Sequence, residues 1–537
     1  MGSLPAHERL DALIVGAGFG GAYQLKRLRD EGYRVRLVDS ATDFGGVWYW
    51  NRYPGARVDS GVPHYEFSDP DLWKEWTWKQ RFPGGEELRD YFSFVAQKWD
   101  LRKDTDFETY VSRATWDEET ATWTVEAKNG RVYRTKFLLL NTGFAAKRYL
   151  PDWEGIDKFK GTWLHPSYWP KVEPDLKGKK IAVIGTGSSG VQLAQSLSQV
   201  ASEFTLFQRT PNMALPMNQV NYAEDGKSLS DERYEKVFAG RYNSFGGFDF
   251  NFYPRGTFED TPEQREAKYE ELWKHGDFHF WLANYQDMLF TADANKEAYD
   301  FWKRKVRARV NDPRLKELLA PDVQPHSFGC KRVSLENGFY EIFNQPNVSL
   351  VDMNTTPVVQ VTERGIKTTD REYEFDYVIC ATGFDAVTGG LMKIDIQGRS
   401  GMSLAKKWKN GAKTYLGMSV ADFPNMLFTY GPQAPTALCN GPTCAESQGE
   451  FIVKVMNHMT EHGIEAIDAR ADAEEKWVQD IQNFANATLL PSTKSWYMGD
   501  NIPGKPRECL IYLGGVPNYY GTLQKCANEG FAGFTQS

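Results

Sequence analysis

The residues most able to do chemistry are two sets of three glycines, Gly16-x-Gly18-x-x-Gly21 and Gly185-x-Gly187-x-x-Gly190. In such a loop the first glycine permits a tight turn and the second lets backbone N–H groups approach a pyrophosphate. The third lets the helix pack closely on the strand, and the helix N-terminus adds partial positive charge. The spacing alone is a weak signal. Here each set follows an apolar run and opens a helix-patterned one. The first unit reads as strand Asp11–Val15, a helix through Arg29 and strand Arg34–Val38, ending at Asp39. Asp39 stands 18 residues after Gly21, where a carboxylate can accept hydrogen bonds from an adenosine ribose.

The second unit ends differently. Lys180–Ile184, a helix to about Val200 and Phe204–Phe207 lead into Gln208-Arg209-Thr210. A carboxylate there would repel a 2′-phosphate, whereas Arg209 attracts one. The bland alternative is a solvated arginine at a strand end. Two such units on one chain imply two cofactors, FAD at the first and NADPH at the second. The expected contacts are Gly16, Gly18, Phe19, Gly21 and Asp39 for FAD. Those for NADPH are Gly185, Gly187, Ser188, Ser189, Gly190, Gln192, Arg209 and Thr210. A disulfide reductase would need a redox cysteine pair after Asp39, but Asp43-Phe44-Gly45-Gly46-Val47-Trp48 stands there. One-domain hydroxylases lack the second glycine set. Monooxygenases with two dinucleotide domains remain.

The elements that must position these residues give an α/β chain with two Rossmann-like domains and a helical insertion. The expected division is 1–145 for the first part of the FAD domain and 146–220 for the linker and first part of the NADPH domain. The insertion follows at 221–324, the second NADPH part at 325–380 and the second FAD part at 381–537. Further strands are expected at Trp123–Val125, Phe137–Leu140, Val348–Leu350, Val358–Val361 and Tyr377–Ile379, and insertion helices at Pro262–Trp273 and Ala298–Val310. Tyr149–Pro174 lacks periodicity and reads as a connector.

Composition narrows the partners. Against 63 Lys and Arg stand 71 Asp and Glu, a net charge of −8, which argues against a nucleic-acid partner. No window approaches the ~20 apolar residues that a bilayer span requires. Leu13–Val15 is too short for a signal peptide and runs into the glycine loop. The six cysteines are sparse and read as reduced structural thiols of a cytoplasmic protein, the Cys439–Cys444 spacing included. No His/Cys/carboxylate cluster with metal-ligand spacing and no Gly-x-Ser-x-Gly elbow is identified.

Four further motifs carry a resemblance. They are Phe159-x-Gly161-x-x-x-His165-x-x-x-Trp169-Pro170; Gly45-Gly46-Val47-Trp48 with Arg52-Tyr53-Pro54-Gly55 and Asp59; Gly329-Cys330-Lys331-Arg332 with Tyr340 and Phe343; and Trp496 with Asn501-Ile502-Pro503-Gly504-Lys505. By these the chain resembles, over nearly its whole length, the type I Baeyer–Villiger monooxygenases of the cyclohexanone and phenylacetone monooxygenase group. Asp39 departs from the glutamate common there and keeps the charge. The resemblance implies that NADPH reduces FAD and that O2 then forms a C4a-peroxyflavin, which attacks a ketone to give an ester or lactone. Arg332 would be the catalytic arginine, oriented by Asp59, because a fixed guanidinium stabilises the anions formed. Gly46, Val47, Trp48, Tyr49, Trp50, Arg57, Asp59, Tyr65 and Val111 would line the FAD site. Lys331 would hold the NADPH phosphate and Trp496 would cover its ribose. His165, in the interdomain connector, reads as a hinge or packing residue before a proton-transfer group.

Expected partners are a ketone and O2, with no separate reductase, in a monomer or small homo-oligomer. Pro432–Pro435 and the loop Leu490–Lys505 are candidate pocket walls. N- or S-oxygenation is the nearest alternative, and a flavoprotein that merely oxidises NADPH is the alternative from another class.

Overall fold

The structure, a computed structural model, describes residues 9–222 and 229–537. The expected domain start at residue 1 and the stretch 223–228 of the expected insertion lie outside the described residues.

Two sheets carry the fold. The first is eight-stranded, and its centre is Leu10–Val15, flanked by Val35–Val38 and Val132–Leu140, both parallel to it. Leu10–Val15 is nearly continuous in apolar residues because helices and strands cover both its faces. From Val132–Leu140 an antiparallel meander runs outward through Thr122–Ala127 to Val111–Asp117. The chain returns after residue 380 to add Asp395–Gln397 beside Val111–Asp117 and Met426–Phe428 beside Val132–Leu140. The second sheet is five-stranded and all parallel, in the order Val348–Asp352, Glu203–Gln208, Lys180–Ile184, Tyr377–Cys380, Thr162–Leu164.

Thr162–Leu164 lies within the stretch expected to be a connector, and it forms the edge of the second sheet. Three residues are too few to show a period, so only pairing with Tyr377–Cys380 defines this strand. Between the sheets' segments lie the helices Asp231–Gly240, Pro262–His275, His279–Leu282, Ala292–Arg307 and Pro313–Leu319. Pro262–His275 starts where Thr261 and Gln264 form a capping box with proline at the first helical position. The helix expected at Ala298–Val310 instead spans Ala292–Arg307, with Asp293 in its first turn and Arg304, Lys305 and Arg307 in its last, matching the helix dipole.

The helix Gly441–His462 lies along Phe19–Asp30, joined where Tyr23 and Arg27 both donate to Glu450, at 2.7 and 2.6 Å. The late segment is thereby locked onto the first glycine loop's own helix.

Candidate active site

At the first loop, Gly18 is the N-cap of Phe19–Asp30 and no side chain caps it, so the first-turn N–H groups are presented to an anion. Gly16 has φ 113°, and a Cβ there would lie 2.3 Å from the Asn141 carbonyl oxygen. Gly18 and Gly46 face each other: a Cβ on Gly46 would lie 2.8 Å from the Gly18 Cα. Side chains at these positions would fill the cradle, so the bare backbone fits a flat, phosphate-bearing group such as FAD.

Asp39 accepts from Ala17 N at 2.6 Å and from Ala41 N at 2.7 Å. Burial raises its pKa while these two N–H bonds oppose the rise. Each oxygen keeps a lone pair for a ribose hydroxyl. The Asp39 carbonyl accepts from Thr109 N at 2.8 Å, and Val111, two residues on, is buried. On the other flank, in the short helix Val47–Trp50, Trp48 donates to the Tyr65 hydroxyl at 3.1 Å, and Tyr65 meets Phe19 edge-on at 5.2 Å. Tyr49 bonds Thr42 at 2.7 Å, and Trp50 packs on Tyr168 at 5.4 Å.

The second loop opens on the helix Ser188–Leu197, again with an uncapped glycine N-cap, Gly187. A Cβ on Gly187 would meet nothing within 4 Å, so this loop faces open space. Arg209 is exposed at its far side. Burial, then the like charge of Arg209, lowers the Lys331 pKa to about 8. Burial, then Lys331, lowers His326 to about 4. Two cations converging beside an uncapped helix start are arranged for an anion. Thr210 contributes its carbonyl to Thr186 Oγ1 at 2.6 Å, and Ser188 pairs with Ser334 at 3.0 Å.

The two loops share a seam. Ser189 Oγ donates to the Tyr53 hydroxyl at 3.1 Å, Tyr53 donates to Gln192 Oε1 at 2.7 Å, and Gln192 Nε2 donates to the Arg57 carbonyl at 3.0 Å. A Cβ on Gly55 (φ 84°) would lie 2.8 Å from the Gln192 carbonyl oxygen, so the Arg52–Gly55 motif is where one nucleotide unit packs on the other.

Asp59 follows that seam and meets Arg332. Nε donates to Asp59 Oδ2 and Nη2 to Oδ1, both at 2.8 Å, a bidentate fork, and Nη1 donates to the Ala437 carbonyl. The Arg332 Cζ lies 5.1 Å from the Phe278 ring centroid. Burial works against the Arg332 charge, but Asp59 prevails and raises its pKa above the ordinary value. Beside this pair a narrow apolar cleft is lined by Gly329, Leu438 and Tyr497 together with Phe245, Phe252, Leu289 and Leu490. Trp496, next to Tyr497, stacks on Phe144 at 5.5 Å.

Of the expected pocket walls, Pro432–Pro435 does not line this cleft. Gln433 is fully buried and spends its amide on Thr414 and Ala412; Leu438, further along, takes the place at the wall. The loop Leu490–Lys505 contributes Leu490 and Tyr497, while its Asn501 and Lys505 tie it to Phe384 and Asp385, at 2.6 and 2.8 Å. The insertion's Phe245, Phe252 and Leu289 went unread; only the aromatic richness of the segment pointed to them.

His165 is buried, with Nε2 3.2 Å from the Gly383 carbonyl oxygen and Nδ1 2.9 Å from Ser167 Oγ. Burial lowers its pKa to about 4, and the bond to Gly383 opposes that shift. It thus joins the outgoing and returning interdomain connections. All six cysteines are free and buried. His275, Asp277 and His279, which alternate in the sequence, come together on one turn.

Fold and site together define a flavoprotein oxidoreductase built on two dinucleotide loops. Residues 10–225 match the model of the flavin-binding monooxygenase-like family. The chain is 47% identical to cyclopentanone 1,2-monooxygenase of Comamonas sp., over 98% of this chain and 96% of that one. It is 36% identical to a Baeyer–Villiger monooxygenase of Pseudooceanicola batsensis, over 97% and 95%. A crystal structure of OTEMO with FAD and NADP superposes with a TM-score of 0.92 at 34% identity, covering 98% of this chain and 99% of that one. The chain belongs to the Baeyer–Villiger family of flavin-binding monooxygenases.

Proposed function

We propose that this enzyme binds FAD along the first glycine loop and NADPH along the second, and that Arg332 is the residue that serves oxygen insertion. The net reaction consumes a ketone, O2, NADPH and a proton and yields an ester or lactone, NADP+ and water. Both cofactors belong to the one chain, so no separate reductase is required. The division proposed above, with FAD segments 1–145 and 381–537 around NADPH segments 146–220 and 325–380, agrees with which segments share each sheet.

Bound FAD, once reduced, supplies the activation of O2. The protein's part is binding, orientation and charge. Gly16, Gly18 and Gly46 leave backbone room for the flavin nucleotide, and Asp39 takes its ribose. Arg209 and Lys331 take the 2′-phosphate that distinguishes NADPH. The observation that carries the reading is the Arg332–Asp59 fork between the two loops and beside an apolar cleft. Three of the five guanidinium N–H groups are engaged by Asp59 and Ala437, which leaves two for a developing oxyanion at the ketone carbon. Asp59 is a positioning residue: it holds the fork in plane and balances its buried charge. The apolar walls suit a hydrocarbon ketone and exclude water from the reacting carbonyl.

Stopped-flow kinetics test this. Arg332→Ala should still bind FAD and let NADPH reduce it anaerobically. On mixing with oxygen and a cyclic ketone, ester formation should fall by ~10²–10³, the usual effect of removing a preorganised anion stabiliser. Near-normal ketone conversion would show that another group does this work. A thioether assayed in parallel distinguishes loss of ketone chemistry from loss of all oxygenation.

A further inference from the structure

On the flank of the insertion that faces Arg81, three ligand-type side chains converge on one turn. Helix Pro262–His275 ends at Gly276 (φ 73°), Asp277 follows with φ 55°, and His279 opens the next helix. These left-handed residues fold the backbone back on itself. The His275 and His279 rings then stack with centroids 3.5 Å apart, and Asp277 lies between their Nδ1 atoms. His279 Nδ1 is 2.5 Å from Asp277 Oδ1 and His275 Nδ1 is 3.5 Å from Oδ2. One donor atom from each residue lies within 4.8 Å of the others.

A plain capping role explains only part of this. Asp277 Oδ1 accepts from His279 N at 2.7 Å, as an N-terminal cap does, but no cap requires a half-exposed second histidine stacked on the first. Arg81 donates to Asp277 Oδ2 and leaves Oδ1 directed at His279. Such an outer bond commonly fixes a metal-bound carboxylate.

We propose that His275, Asp277 and His279 form a binding site for a divalent metal of the zinc class, whose occupancy slows ketone oxidation. Two imidazole nitrogens and one carboxylate oxygen, with water in a fourth position, form the donor set such ions prefer. Tetrahedral coordination at about 2.0–2.2 Å needs donors about 3.3 Å apart, so side-chain rotations of about 1 Å complete the site. The exposed His275 edge provides entry. The link to turnover is Phe278, between two of the ligands, whose ring supports Arg332 at 5.1 Å. An ion that clamps this turn shifts the ring and with it the guanidinium.

The test is calorimetric titration of the untagged, FAD-loaded enzyme with Zn2+, followed by ketone turnover across the same Zn2+ range. The variants are His275→Ala, His279→Ala and, as a control, His462→Ala, because His458 and His462 form a second surface pair 4.3 Å apart. Flavin absorbance and melting confirm folding; if His279→Ala fails to fold, exposed His275 still decides. One Zn2+ per chain is expected. His275→Ala should weaken binding more than ~10-fold, the least that loss of even a supporting residue costs, and raise the inhibitory Zn2+ concentration in step. His462→Ala should change neither. Absent binding, binding indifferent to His275→Ala, or binding that leaves turnover untouched would overturn the proposal.

Discussion

Lys331 lies half-buried beside Arg209, and a lysine held at about pKa 8 is a cation only on the acid side of that value. Its attraction for the 2′-phosphate should fade as pH rises through about 8, somewhat later once the phosphate itself stabilises the ammonium. The KM for NADPH should climb over that range while that for NADH stays flat, and Lys331→Met should abolish the difference in slope. Parallel pH profiles for both coenzymes would remove Lys331 from the phosphate site. Arg209 is the other residue assigned to this phosphate. Losing a charge-assisted phosphate contact costs about 1.5–3 kcal/mol, so Arg209→Ala should raise the NADPH KM at least ~10-fold and leave NADH nearly unchanged. At this scale Asp39, Arg209 and Arg332 could be picked out in the sequence because each has a fixed place in a local motif. Ala437 could not, because it contributes only a carbonyl, a group every residue carries.

The elements differ in how plainly their sequences declare them. Leu10–Val15 and Lys180–Ile184 are buried parallel strands whose apolar runs are unmistakable. Gly441–His462 is a 22-residue helix buried almost all round its first half, so it shows no polar face by which to recognise it. Val111–Asp117 carries Ser112, Arg113 and Thr115 among its buried residues, so it presents no apolar run by which to recognise it. A contact open to a single substitution is the packing of Gly55 on helix Ser188–Leu197. Gly55→Ala places a Cβ 2.8 Å from the Gln192 carbonyl at positive φ, a strain of about 1–3 kcal/mol. FAD should stay bound, since its loop is untouched, but anaerobic reduction by NADPH should slow by about 10-fold as the seam opens. Reduction at the normal rate, with only a lower melting temperature, would mean that Gly55 serves the fold alone.

Over the whole molecule, His165 ties the connection leaving the first sheet to the one returning to it. Its two nitrogens contact Ser167 and Gly383, and it is buried as a neutral ring with a pKa of about 4. The unfolded chain takes up the corresponding proton near about 6.5. Between those values the unfolded state binds more protons, so stability must fall as pH drops from about 6.5 to about 4. His326 acts in the same direction, also from about 4. Melting temperatures measured across this window should decline, and His165→Gln should flatten part of the decline. An unchanged slope in that variant would show that His165 is not the buried neutral group described here.

The sequence by itself determined the two strand–turn–helix units and their glycine loops. Each unit is written within a few dozen consecutive residues, where spacing and side-chain type suffice, whereas Arg332 is reached through the motifs that carry the resemblance. Asp59 is expected beside that arginine only through the resemblance, and the tertiary structure alone decided the geometry of the fork and the contact with Ala437. Asp59 is 273 residues from Arg332 and Ala437 is 105 residues away. The cleft beside them draws its walls from the insertion, the Gly329 loop and the C-terminal segment. Periodicity records which face of an element is apolar, but not which distant element will cover it. That choice follows from packing several segments at once, and so the shape of the apolar cleft beside Arg332 emerges only in the folded chain.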